Sequence, residues 1–148
     1  MNSYIEIMKK YAVFTGRESR RTFWYFVLFN FIFSLIIYLI DRILHSDILS
    51  TIYSLAVFLP SLGASIRRLH DINKSGWWVL LSFIPLVFFL FLIPLAFVSR
   101  SAAFGGLISV LLLCLACSIW LIVLEATAGT PGENKYGEPV LSNDLIQD

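Results

Sequence analysis

Charge is missing from four long stretches of this 148-residue chain: residues 22–40, 48–66, 75–99 and 101–124 contain no Asp, Glu, Lys or Arg. Each holds at least 19 residues. At ~1.5 Å rise per residue, a helix of that length covers close to the ~30 Å hydrocarbon core of a bilayer. Lipid offers no partner to a backbone N–H or C=O, so a segment crossing it must satisfy those groups internally, as a helix does. Charged residues make up 14% of the chain, against roughly 25% in a soluble domain. The chain is too short to hide so much apolar surface from water. The predicted fold is therefore an all-α integral membrane protein. One domain, residues 1–148, holds four transmembrane helices in two hairpins, at about 22–40, 48–66, 77–98 and 102–124, with a tail at 125–148. The first stretch is long for a signal-peptide core and no small-x-small cleavage site follows it, so it reads as a retained span.

The basic residues set the orientation. The N-terminal segment carries Lys9, Lys10, Arg17, Arg20 and Arg21, the second connection Arg67, Arg68 and Lys74, and the tail Lys135. The first and third connections carry only Arg42 and Arg100. Four spans place nine basic residues on one side against two on the other, and the positive-inside rule makes the richer side, with both termini, cytoplasmic. Aromatic residues follow the basic clusters at once, Phe23-Trp24-Tyr25 after Arg20-Arg21 and Trp77-Trp78 after Lys74. That is the composition of a headgroup boundary, where arginines snorkel and amphipathic rings settle. Residues 1–14 read as a short amphipathic helix with Tyr4, Met8 and Tyr11 on one face and Glu6 four residues before Lys10, expected to lie in the headgroup layer.

Within the spans, Asn30, Ser34 and Tyr38 form one polar stripe and Ser50, Ser54, Ser61 and Ser65 another. Packing between the first two helices is the common use of such residues and is favoured here over a polar pathway. Pro60, Pro85 and Pro94 are expected to kink their helices. Cys114 and Cys117 have C-x-x-C spacing but lie mid-span, where thiolates are disfavoured, so they read as small packing residues. The two histidines, His45 and His70, fall on opposite sides, too few and too far apart for a metal site. His70-Asp71 invites an acid–base reading, but neighbours on a helix do not face each other and no nucleophile accompanies them. Arg68 and Asp71 pair at i,i+3 if the second helix runs past the membrane surface. No catalytic set, cofactor or metal site is predicted.

What remains is the cytoplasmic face. The candidate lipid- or partner-binding residues are Arg17, Arg20, Arg21, Arg67, Arg68, His70, Asp71, Lys74, Trp77, Trp78, Asn134 and Tyr136. Clustered basic residues attract anionic headgroups, and arginine forks suit phosphate or acidic partner segments; the plainer alternative is that the charges only set topology. The tail segment at 129–139 is rich in glycine and proline and has no apolar face. It is expected to fold back onto the second connection, with Glu133 and Glu138 pairing with arginines and Tyr136 against Trp77 or Trp78.

Three blocks carry a family resemblance: GRESRRTFWYFVLFN at 16–30, LPSLGASIRRLHDINKSGWWVLLSFIPL at 59–86 and GTPGENKYGEP at 129–139. In this order they resemble the bacterial domain of unknown function 805 family. The resemblance implies an integral inner-membrane protein and supplies no activity, cofactor or substrate. In the members it resembles, the tail motif follows the third apolar stretch more closely, and the longer separation here makes room for a fourth span. The leading functional expectation is a non-enzymatic scaffold or regulatory protein of the bacterial inner membrane. Its basic, aromatic-rimmed face would bind anionic lipid headgroups or a membrane-protein partner, a second copy included, and no nucleic acid. The alternative is a small oligomeric transporter or channel, and the third reading a lipid-modifying enzyme using His70 and Asp71.

Overall fold

The computed structural model describes residues 2–96 and 100–140, with side chains for 4–90 and 104–140. The helices are α1 (Asn2–Lys9), α2 (Arg20–Leu44), α3 (Ile48–Asp71), α4 (Ile84–Ala96) and α5 (Arg100–Ala126), with a 3-10 run at Gly76–Phe83. Among the described residues there is no strand, only an isolated bridge between Asn134 and Gly137. The chain forms two compact units, Met1–Gly76 together with Ala128–Asp148, and Trp77–Thr127.

Among the described residues, three helices are long and apolar enough to cross a membrane: α2, α3 and the Phe104–Ala126 part of α5. The expected third span, 77–98, is instead divided between the 3-10 run and α4, with residues 97 and 98 outside the described residues. Pro85 is the local reason. It lacks the N–H that an α-helix arriving from Trp77 would need at that point, and its ring crowds the preceding turn. In the first turn of α4 the missing N–H costs nothing. Within this unit α4 packs on α5. Cys117 is buried, Cys114 is half-buried, and both are free thiols.

In the other unit, the Ser19 hydroxyl caps the start of α2 by accepting from the Thr22 N–H at 3.1 Å. The turn from α2 to α3 is built around Asp41, which is 2% exposed. Its carbonyl accepts from the N–H of His45, in the left-handed region at φ 50°, and from Ser46 N at 3.1 Å. Its carboxylate accepts from Leu49 N at 3.3 Å and Ser50 N at 2.8 Å. One residue thus closes the last turn of α2 and caps the first turn of α3. The polar stripes of α2 and α3 meet, with Asn30 Nδ2 donating to Ser61 Oγ at 3.4 Å and the Tyr53 hydroxyl donating to Asn30 Oδ1. Ser54 bonds back to the Ser50 carbonyl on its own helix.

Helix α1 is shorter than the amphipathic segment expected at 1–14, and its apolar face is covered by protein. Ile7 is fully buried in a cluster with Phe23, Phe26 and Ala64. The Tyr4 ring stacks on Phe26 at 5.3 Å and meets Phe33 edge-on at 5.4 Å. Tyr11, expected on the same face, lies beyond the helix and is exposed. On the outer face Lys10 pairs with Glu6 at 2.9 Å, as the i,i+4 spacing requires.

Candidate functional site

The polar end of this unit joins three segments that lie far apart in sequence: the loop before α2, the last turn of α3, and the tail. Arg67, Arg68, His70 and Asp71 close α3 and are all buried. Buried charges are tolerable only when paired and hydrogen-bonded, and partners come from both other segments.

From the loop, Glu18 N donates to the Arg67 carbonyl at 3.1 Å, and Arg67 Nε returns a bond to Glu18 Oε2 at 3.1 Å. Arg67 Nη1 donates to the Val13 carbonyl. Arg67 Nη2 is buried without a partner among the described residues. Glu18 is 1% exposed, and this desolvation pushes its carboxyl above the usual range, against the opposing pull of Lys10 and Arg67. The next residue back, Arg17, is the hub. Its Nε and Nη2 both lie 2.9 Å from Asp71 Oδ1. Its Nη2 donates to the Thr130 carbonyl at 2.7 Å, and its Nη1 to the carbonyls of Gly132 at 2.7 Å and Gly137 at 3.2 Å. Arg68 Nη1 holds the other oxygen of Asp71, at the expected i,i+3 spacing.

The tail acts as the cap of α3. A helix ends with carbonyls that have no partner inside it. Here the Asp71 carbonyl accepts from Thr130 N at 2.9 Å and Thr130 Oγ1 at 3.1 Å. The His70 carbonyl accepts from Asn134 Nδ2 at 3.0 Å. The His70 ring stacks on Tyr136 with centroids 3.7 Å apart and planes 4° from parallel. His70 Nδ1 lies 3.1 Å from the Gly16 carbonyl, which makes it the protonated nitrogen. The tail reaches this position because Gly129 lacks a side chain: a Cβ there would sit 2.0 Å from Asp71 Oδ2. It then turns tightly, with Gly137 N donating to the Asn134 carbonyl at 2.9 Å and Asn134 Oδ1 accepting from Tyr136 N at 2.8 Å. Gly137 takes φ 115°, which residues with a Cβ rarely adopt.

The candidate residues therefore separate. Arg17, Arg67, Arg68, His70, Asp71, Asn134 and Tyr136 are brought together as one network. Arg17, Arg67 and Arg68 are 5%, 1% and 0% exposed, so in this conformation they are not open to a headgroup. Arg20 and Arg21 are exposed in the first turn of α2, with the Arg21 guanidinium 5.7 Å from the Tyr25 ring centroid. Lys74 is exposed after α3. Trp77 and Trp78 lie in the 3-10 run of the other unit, and Tyr136 stacks on His70. The tail engages arginine through its carbonyls; among the described residues neither Glu133 nor Glu138 pairs with an arginine. Beside the network lies a polar groove of about 370 Å³, lined by Arg17, Ser19, Arg20, Arg21, Asp71, Gly129, Thr130, Pro139 and Val140. Glu18, Gly129 and Thr130 belong to the network without having stood out in the sequence. The available signal for Glu18 was that it is the one acid within a run of arginines.

A family model described as protein of unknown function (DUF805) matches residues 11–138. The chain is 36% identical to inner membrane protein YhaH of Escherichia coli K12, covering 93% of this chain and 94% of that one. It is 37% identical to inner membrane protein YhaI of the same strain, covering 93% of each. The uncharacterized protein YiiR of that strain is 31% identical over 84% of each chain. No solved structure is significantly similar to the chain.

Proposed function

The chain belongs to the DUF805 family, and from that premise we propose that it is a non-enzymatic scaffold or regulatory protein of the bacterial inner membrane. Its tail-capped polar end faces the cytoplasm and engages the phosphate of anionic lipid headgroups at the Arg20–Arg21 groove. One observation carries this reading: Arg17, Arg67 and Arg68 are buried in the network, and the exposed Arg20 and Arg21 line a polar groove beside that paired framework. Bidentate guanidinium contacts suit phosphate oxygens, and each basic residue near an anionic surface contributes about 1 kcal/mol. The distribution of basic residues supports cytoplasmic termini. Four crossings are part of the proposal. At ~2.0 Å per residue for the 3-10 run and ~1.5 Å for α4, their combined contour is about 35 Å, sufficient for the bilayer core.

The test is the lipid retained after mild extraction. The wild-type protein is expected to keep phosphatidylglycerol or cardiolipin through purification, and Arg20→Gln/Arg21→Gln to lose most of it. Equal retention by the variant would remove the groove from the account. A saturable solute flux in proteoliposomes would replace the scaffold reading with the transporter. External labelling in intact cells at a cysteine placed at position 135, on a Cys114→Ser/Cys117→Ser background, would contradict the orientation.

A further inference from the structure

Helix α1 packs at a depth that a helix lying on the membrane surface does not reach. The contacts can be followed downward. Lys10 lies at the level of the polar network, 3.9 Å from Glu18. Ile7, one turn earlier, is buried with Phe23, Phe26 and Ala64. Tyr4, another turn earlier, meets Phe26, Phe29 and Phe33. Its hydroxyl lies 3.5 Å from the hydroxyl of Tyr53. Successive turns of α1 thus meet successive turns of α2, as two helices running alongside each other do.

The depth follows from the spans themselves. Phe33 is eleven residues beyond Thr22, where the first charge-free stretch opens, or roughly 16 Å down a helix. Tyr53 is thirteen residues before Ile66, where the second stretch closes, or roughly 20 Å. Both estimates put the Tyr4 ring near the middle of a ~30 Å hydrocarbon core. The groups it meets there are uncharged hydrogen-bonding side chains: Tyr53 donates to Asn30, and Asn30 donates to Ser61. Polar groups at that depth need protein partners, and Tyr4 adds one from a third helix. Of the charged side chains on α1, Lys9 lies exposed in its last turn and Glu6 is bonded to Lys10 one turn higher at 2.9 Å, and such side chains extend toward the interface.

We propose that α1 is a re-entrant membrane helix, inserted beside α2 and α3 with its Asn2 end downward, whose Tyr4 hydroxyl completes an intramembrane polar cluster with Tyr53, Asn30 and Ser61. This replaces the expected helix in the headgroup layer and makes the amino-terminal segment part of the embedded bundle. It is independent of what the groove at Arg20 binds.

Nitroxide depth measurement in reconstituted bilayers tests it. Ile5→Cys and Lys9→Cys, each on the full chain with Cys114→Ser and Cys117→Ser, place labels on exposed positions of α1 without disturbing Tyr4 or Ile7. The ratio of oxygen to polar-nickel accessibility should put position 5 about 6 Å deeper than position 9, the rise of four helical residues, and inside the hydrocarbon. Equal depths in the headgroup layer, or position 9 deeper than position 5, would overturn the proposal. A second measurement uses Tyr4→Phe, which keeps the ring and removes the hydroxyl. A label at position 5 should stay at depth, and Tyr4→Phe should lower the thermal midpoint of the detergent-solubilised protein with Tyr53 present but not in the Tyr53→Phe background. An equal effect of Tyr4→Phe in both backgrounds, or none in either, would remove Tyr4 from the cluster.

Discussion

At the Asp41 end of the α2–α3 pair, the carboxylate and carbonyl of Asp41 accept from the N–H groups of His45, Ser46, Leu49 and Ser50, all within nine positions in sequence. At the Arg17 end, the corresponding work takes two carboxylates, three buried guanidinia and a tail segment up to 120 positions away. The first is a local cap, formed as soon as the chain turns. The second closes only after the rest of the chain has been placed, and each long loop so closed carries an entropy cost that grows slowly with length. Local capping is enough to join two membrane helices. A three-segment network is more than a turn requires, and its position at the basic end supports the proposal of a functional surface there.

The largest test of that contrast is Asp71→Ala. It leaves Arg17 and Arg68 buried without their shared counter-ion, and breaking a buried pair in this way costs about 3–5 kcal/mol. The thermal midpoint of the detergent-solubilised protein should fall sharply, and the bond after Lys135 should open to trypsin. Gly129→Ala comes next. Its Cβ would overlap the Asp71 carboxylate, a strain of about 1–3 kcal/mol. Trypsin cleavage at Lys135 should rise while helix content by circular dichroism is kept. Asp41→Ala should cost about 1 kcal/mol, the usual value of a lost cap, and leave the tail as protease-resistant as in wild type. An exposed tail in Asp41→Ala would erase the distinction between the two ends.

The smallest effect is in the pH dependence. Burial raises the Glu18 carboxyl above its ordinary value of 4.5. A group whose folded-state pKa is raised contributes stability that is present in full below the unfolded value and lost as pH rises through the folded one. Stability of the wild type should therefore carry a component that declines as pH rises from 4.5, and Glu18→Gln should lack it. An identical pH profile in both proteins would mean that the carboxylate is not desolvated.

What the sequence showed clearly was what one chain segment decides alone. Three of the charge-free stretches marked α2, α3 and α5, while the third holds a 3-10 run and α4; i,i+4 spacing marked the Glu6–Lys10 pair, i,i+3 spacing Arg68–Asp71, and glycine content the tail loop. Less visible was what depends on neighbours. His70 and Asp71 do point apart on α3, yet each finds a partner on another segment, Gly16 and Tyr136 for one and Arg17 for the other. The tail grips Arg17 with backbone carbonyls, which every residue has, so no side-chain pattern announced it. The acids Glu133 and Glu138, which did stand out, are not what holds it. Surface electrostatics misled in the same way: a run of basic residues near a membrane suggests lipid contact, and only the fold shows that Arg17 and Arg67 turn inward while Arg20 and Arg21 stay exposed.

The central claim, that the tail is a fixed part of the polar end, is tested most directly by disulfide crosslinking in native membranes. His70→Cys with Tyr136→Cys, on the full chain with Cys114→Ser and Cys117→Ser, replaces rings that stack at 3.7 Å. This pair should crosslink within minutes under mild oxidation, while His45→Cys with Tyr136→Cys, which joins the tail to the Asp41 end, should not. Failure of the first pair to crosslink, together with trypsin cleavage at Lys135 in the wild-type chain as fast as in a denatured one, would contradict the account.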